Sequence, residues 1–237
     1  MKRFWNDARA APDPAGHAIL LDGRMLRLPG GAVLRVGPAA LAAAIAAEWQ
    51  AAGGARGGEM SFADTPLTRL AGTAQERIAP DPAPVVTVLA SYGATDLLCY
   101  RAETPATLVR HQHAHWQPWL DWAALHLDAN LLTGAGVIAI AQPEASLTAL
   151  RRAVAALDPL ALAALGLAVP ALGSLVLGLA LARRALPAAE AHRLGALDEL
   201  YQVSLWGEDA QAAARRAAVA ADIALAGRMF ALLDDAP

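Results

Sequence analysis

Residues 159–182 form a run of 24 positions without one charged side chain. No other feature of the chain narrows its possible folds as far. A stretch of that length either crosses a bilayer, which takes roughly 20 apolar residues, or is buried in a protein core. Pro170 sits near its middle, Gly166, Gly173 and Gly178 interrupt it, and much of it is alanine rather than leucine. Arginines flank both ends (Arg151, Arg152, Arg183, Arg184), so no basic asymmetry sets an orientation. The pattern predicts two short buried helices broken at Pro170 and no membrane span; a membrane anchor through residues 159–182 is the alternative.

Composition sharpens this. Of 237 residues 61 are alanine, only 17% are charged, and the formal net charge is −3. Disordered chains have the opposite balance. With no block of Lys or Arg, phosphate-driven binding of nucleic acid is not expected. A single cysteine, Cys99, excludes an internal disulfide and points to a reducing compartment. Lys2 is the one lysine against eighteen arginines, which together with the alanine excess reads as coding bias of a GC-rich genome. No apolar run of signal-peptide length follows Lys2 and Arg3, so no secretion signal is expected.

Short apolar runs at residues 17–21, 25–28 and 33–36, separated by Asp22-Gly23 and Gly30-Gly31, predict a three-strand meander. Residues 39–52 are strong helix formers after Pro38 and stop at Gly53-Gly54. Asp64-Thr65-Pro66 starts a helix to about Ile78, Pro80, Pro82 and Pro84 form a linker, and residues 85–92 read as a helix. A buried strand is expected at 95–101 and another at 137–141. Between them Thr104-Pro105 opens a helix that Pro118 either kinks or restarts. From Glu144 onward the pattern is helical, with helices expected at 188–205 and from Asp209 to Leu233. The fold class is therefore α+β: a small β-rich N-terminal domain with one helix, residues 1–58, followed by a larger, mainly α-helical domain, residues 59–237.

Catalytic patterns are missing. His111 and His115 share a helical face at acceptable zinc spacing, which keeps a metal-dependent enzyme as an alternative, but His113 points elsewhere and no Glu completes a metalloprotease pattern. There is no phosphate-binding Gly-rich loop with Lys-Ser/Thr, and Gly173-Ser174 forms no nucleophile elbow. Cys99, flanked by Asp96 and Glu103, reads as core. Trp116, Trp119 and Trp122 drift around one side of a helix and fit either core packing or a partner surface. In residues 197–209, Leu197, Leu200, Tyr201 and Leu205 share a helical face, Gly207 stops the helix, Asp209 caps the next one, and Glu199 and Glu208 are expected to be solvated.

Several strings occur in a telling order: Lys2-Arg3-Phe4-Trp5; Leu21-Asp22-Gly23-Arg24; Glu48-Trp49; Pro66-Leu67-Thr68-Arg69-Leu70-Ala71; Thr95-Asp96-Leu97-Leu98-Cys99-Tyr100-Arg101-Ala102; Gln112 with Trp116 and Pro118; Leu175-Val176-Leu177-Gly178-Leu179-Ala180; and Glu199-Leu200-Tyr201-Gln202 followed by Trp206-Gly207-Glu208-Asp209. Over nearly the whole chain they resemble the F-type ATP synthase assembly chaperone family that attends the α subunit of the catalytic head. The resemblance implies a non-enzymatic protein without a cofactor, which shields the free α subunit until it meets β. It further implies a monomer, cytoplasmic in bacteria and in the mitochondrial matrix for eukaryotic relatives. The partner-binding positions it implies are Trp49, Glu199, Tyr201, Gln202, Trp206 and Glu208. One departure is Gln117, where the family pattern has Asp after the tryptophan, so a charge role there is in doubt.

Overall fold

The computed structural model describes residues 1–136 and 138–234. The architecture is α+β: strands lie between residues 8 and 36, and helix dominates from there on. By internal contacts the chain forms two compact units. Among the described residues, the first holds Met1–Pro82, Asp158–Ala164 and residues 228–234; the second holds Ala83–Leu157 and Leu165–Gly227.

In the first unit, β1 (Ala8–Asp13) pairs antiparallel with β2 (Gly16–Leu21), and β2 pairs on its other side with β3 (Arg24–Met25) and β4 (Arg35–Val36). The first two expected runs are joined at Asp22 and Gly23, whose φ values of 47° and 80° fit the tight hairpin turn that Asp-Gly favours; the second and third shorten to the two-residue β3 and β4, and β4 pairs with β2 rather than with β3. β1 was not expected. Its sequence, Ala-Arg-Ala-Ala-Pro-Asp, lacks strand formers, and Pro12 is tolerated because β1 is an edge strand. Helix α1 (Ala39–Ala51) buries Leu41, Ile45 and Trp49, and α2 (Pro66–Thr73) continues through one wider turn at Ala74–Ile78. Trp5, fully buried, packs 5.0 Å from Trp49 and donates its indole N–H to the Trp49 carbonyl at 3.0 Å.

Two buried charges close helix ends here. The guanidinium of Arg3 donates to the carbonyls of Gln50 (2.7 Å) and Gly54 (2.7 Å) at the end of α1, and to those of Trp5 and Asn6 (both 3.0 Å). Carbonyls at a helix C-terminus lack intrahelical donors and carry partial negative charge, so a cation suits them. Glu48 does the converse for α2, accepting from the backbone N–H of Leu67 (3.0 Å) and Thr68 (3.3 Å). Burial pushes the Glu48 carboxyl above its usual range, against the pull of those two donors and of Arg228 at 3.9 Å.

The second unit contains α3 (Ala83–Ser91), β5 (Tyr100–Arg101), α4 (Ala106–Leu127), β6 (Gly134–Ala135), α5 (Glu144–Ala155), most of α6 (Pro159–Leu172), α7 (Leu175–Ala182), α8 (Ala188–Gly195), α9 (Leu197–Trp206) and most of α10 (Ala210–Leu233). Pro118 neither ends nor restarts α4, which runs through it. The expected strand at 95–101 is mostly tight 3₁₀ turns, Tyr92–Thr95 and Leu97–Cys99, followed by the two-residue β5. The strand expected at 137–141 starts on Val137, which lies outside the described residues; residues 138–141 are not strand, and β6 pairs parallel with β5 instead. The helix expected over 188–205 is two, divided at Ala196.

The uncharged run becomes α6 and α7, and among the described residues no helix is long and apolar enough to cross a membrane. The run on which the membrane-anchor alternative rests is thus two shorter helices and not one span. The break falls not at Pro170, which lies inside the last turn of α6, but at Gly173 (φ 64°) and Ser174, whose hydroxyl accepts from Leu177 N–H. Gly178 lets α7 approach α6 closely, since a Cβ there would stand 2.6 Å from the Val169 side chain. The N-terminus of α7 is closed by Asp96, which is fully buried and accepts from Val176 N–H at 3.0 Å and from its own turn at Leu98 N–H at 3.1 Å. Burial raises the Asp96 pKa, opposed by these donors and the Ser174 hydroxyl.

Asp96→Ala leaves buried N–H groups of α7 unpaired, and the expected cost is about 2–4 kcal/mol. A urea titration followed by far-UV circular dichroism checks it: the midpoint falls with the slope unchanged, and Asp96→Asn, which keeps an acceptor, falls less.

Candidate functional site

Five of the six positions singled out by sequence lie together, on α9 and the turn after it. Leu197 is buried and anchors the helix start. Exposure then rises along the helix, until Leu205 is 56% and Trp206 78% exposed. Gly207, at φ 87°, ends the helix with its N–H on the Val203 carbonyl, and Asp209 caps α10 through Ala212 N–H at 2.8 Å. The stop and the cap are both as expected from the residue types. The tip therefore presents two large apolar side chains to water beside exposed Gln202.

Three side-chain contacts hold this segment in place. Gln112, buried in α4, donates to Asp198 Oδ1 at 2.8 Å and accepts from Ala102 N–H at 2.7 Å. The Tyr201 hydroxyl meets Thr107 Oγ1 at 2.5 Å. Arg216 of α10, only 8% exposed, donates to Glu199 at 2.8 Å and to Glu208. Glu199 and Glu208 are thus not simply solvated, as their spacing suggests, but share one guanidinium. Sequence reasoning missed Arg216 because its partners lie 17 and 8 positions away, beyond any helical spacing. The signal available was a lone Arg pair, Arg215-Arg216, in an otherwise alanine-rich helix.

Trp49 belongs to the first unit and is buried, its indole N–H donating to Thr68 Oγ1 at 2.9 Å. The structure does not bring it together with the α9 residues in one unit. The tryptophans of α4 divide: Trp116 is fully buried with its N–H on the Leu194 carbonyl at 3.0 Å, while Trp119 and Trp122 are half-buried with rings 6.1 Å apart. Gln117, where an Asp was expected, faces the Arg101 guanidinium at 3.5 Å and donates to Asp121 at 2.9 Å.

The geometry gives chemistry little to work with. Among the described residues no three His, Cys, Asp or Glu side chains gather as a metal site. The rings of His111 and His115 meet edge to face at 4.5 Å, and the His115 pKa is lowered by burial and then by the His111 charge. Burial, aided by the Asp96 charge, pushes the Cys99 thiol up to about 12, which leaves it no thiolate near neutral pH. The α9 tip has the make-up of an adhesive surface instead: an exposed Trp and Leu, a polar rim, and a buried Arg fixing the acids.

Residues 2–124 match the family model of the ATP12 chaperone protein. The crystal structure of Atp12 from Paracoccus denitrificans is similar over 98% of this chain and 97% of its own, with 43% identity and a TM-score of 0.92. A point variant of Atp12p from P. denitrificans matches over the same spans at 42% identity. A protein from Agrobacterium tumefaciens is 36% identical over 98% of this chain and 86% of its own, again with a TM-score of 0.92.

Two measurements test the site. In acrylamide quenching, Trp206→Phe should remove most of the readily quenched emission, because Trp5, Trp49 and Trp116 are buried and Trp119 and Trp122 half-covered. Iodoacetamide near pH 8 should leave Cys99 unmodified in the folded protein and alkylate it once urea unfolds the chain.

Proposed function

The chain belongs to the ATP12 chaperone family, the ATP synthase assembly chaperones, which are not enzymes, and from that premise we propose that it holds the free α subunit of the F-type ATP synthase through the tip of α9. The observation carrying this reading is the pairing of an exposed Leu205 and Trp206 with two acids, Glu199 and Glu208, drawn in by Arg216. A subunit awaiting assembly exposes an apolar face that meets its neighbour later, and free in solution such a face aggregates. A chaperone needs to cover it with a few strong contacts and then let go. Trp206 supplies an aromatic anchor of the kind that dominates interfaces. The acids supply polarity and orientation at the rim, where charge sets specificity and on-rate more than affinity.

Tyr201 and Gln202 lie on the same helix, Tyr201 fixing its position through Thr107 and Gln202 facing water. Trp49, in the other unit, supports the fold by packing on Trp5; any contact it makes with the α subunit requires the surface above it. In this reading the protein acts as a monomer where the α subunit is made, the cytoplasm in a bacterium.

Co-purification from the native host should recover α subunit with the full-length chain, and the chain should suppress aggregation of isolated α. Failure of both would rule the reading out. Trp206→Ala and Glu199→Lys should each weaken α binding by about tenfold or more, in line with truncating an interface anchor, with the far-UV spectrum unchanged. Normal binding by both variants would place the contact elsewhere.

A further inference from the structure

The first unit carries a second surface that the α9 reading does not use. A groove of ≈ 600 Å³ lies beside the β-meander and α1, and it continues past Leu28 and Phe62 into a second hollow of ≈ 410 Å³ along α2. Its lips are apolar and uncovered: Phe4 is 56%, Phe62 57% and Met25 46% exposed. Large apolar side chains exposed singly, such as Val88 and Leu125, need no explanation, whereas three gathered around one groove mark a surface that can take a partner.

The charge around the groove is one-sided. Arg24 and Arg27 line the first hollow, Arg69 and Arg77 the second. Arg27 donates to the Gly31 carbonyl at 2.7 Å. The guanidinium groups of Arg24, Arg69 and Arg77 have no hydrogen-bond or ion-pair partner among the described residues. The single acid in the lining is Glu76, and its carboxylate is committed to the Gly30 N–H at 3.0 Å. A chain of net charge −3 therefore places four arginines along these two adjoining hollows. Lining of this kind selects a ligand that is apolar on one side and negative on the other.

We propose that this groove docks an acidic amphipathic segment of a partner polypeptide, its apolar side between Phe4, Met25 and Phe62 and its carboxylates on Arg24, Arg69 and Arg77. A length of about 3–4 helical turns, or an extended strand, fills such a hollow. The surface is held ready by the fold. Arg3 fixes the chain on either side of Phe4, and α2 lies close against the meander because Gly72 carries no Cβ, which would stand 2.9 Å from Leu28. Binding then needs little reorganisation of the groove.

Fluorescence anisotropy with the full-length protein tests this, using a short synthetic peptide with Leu and Phe on one side and Glu on the other, and its counterpart with Lys in place of Glu. No ATP synthase subunit enters the assay, so its outcome is independent of the α9 reading. The acidic peptide should bind at least about tenfold more tightly than the basic one, and added salt should weaken it. The double variant Arg24→Glu with Arg69→Glu, both exposed positions, should reduce acidic-peptide binding by about tenfold and improve binding of the basic peptide. Phe62→Ser should weaken both. A thermal melt confirms that each variant is folded, and the milder Arg24→Gln with Arg69→Gln stands in should the reversal unfold it. Equal binding of the two peptides, or wild-type affinity in the charge variants, overturns the proposal. So does capture of phosphatidylserine vesicles with neither peptide bound, or a concentration-dependent dimer that Phe62→Ser abolishes.

Discussion

A helix packed tightly into an apolar interior cannot leave its terminal N–H and C=O groups bare, and in this protein buried charges close those ends. Arg3 closes the C-terminal end of α1, Glu48 the start of α2 and Asp96 the start of α7. Each brings an ionisable group to a place where the backbone offers several complementary hydrogen-bonding groups, which offset the loss of water. In doing so each ties together segments distant in the chain: Arg3 the N-terminal segment to residues 50–54, Asp96 its own turn to residue 176. The rest of the packing follows from where these ends are held.

The high apolar content resolves in the same terms. With charges confined to ends and surface, alanine and glycine let α6 and α7 approach until side chains interlock, as at Gly178 against Val169. Seven of the nine leucines of the uncharged run are buried, Leu160 and Leu167 being half-buried. What remains outside includes two clusters. Leu205 and Trp206 sit at the tip of α9, and Phe4, Met25 and Phe62 surround the arginine-lined groove. Grouped exposure of this kind fits partner surfaces, whereas single exposed residues elsewhere, such as Val88 and Leu125, are ordinary.

Elements whose signals are local were legible. The Asp22-Gly23 turn, α1 stopped by glycines, the Gly207 stop and the Asp209 cap all lie where residue type places them. Elements whose signals are distant were not. β1 has no strand-forming side chains and exists because β2 offers it an edge. Residues 95–99 have the apolar content of a strand, but the Asp96 side chain takes the Leu98 N–H and winds them into a turn. The break between α8 and α9 is marked only by Gly195 at the end of α8, a single glycine that the helical pattern of 188–205 runs past.

The candidate site divides along the same line. The residue order by itself determined that α9 ends at Gly207 with an aromatic at its tip, and the same ordered strings marked the chaperone family, because both are properties of neighbours along the chain. Only the tertiary structure decided that Glu199 and Glu208 share Arg216, that Trp206 stays in water while Trp49 and Trp116 do not, and that four arginines ring one apolar groove. Helical period and turn chemistry act over a few residues. Burial and charge pairing depend on whatever the fold brings alongside, from any distance in sequence.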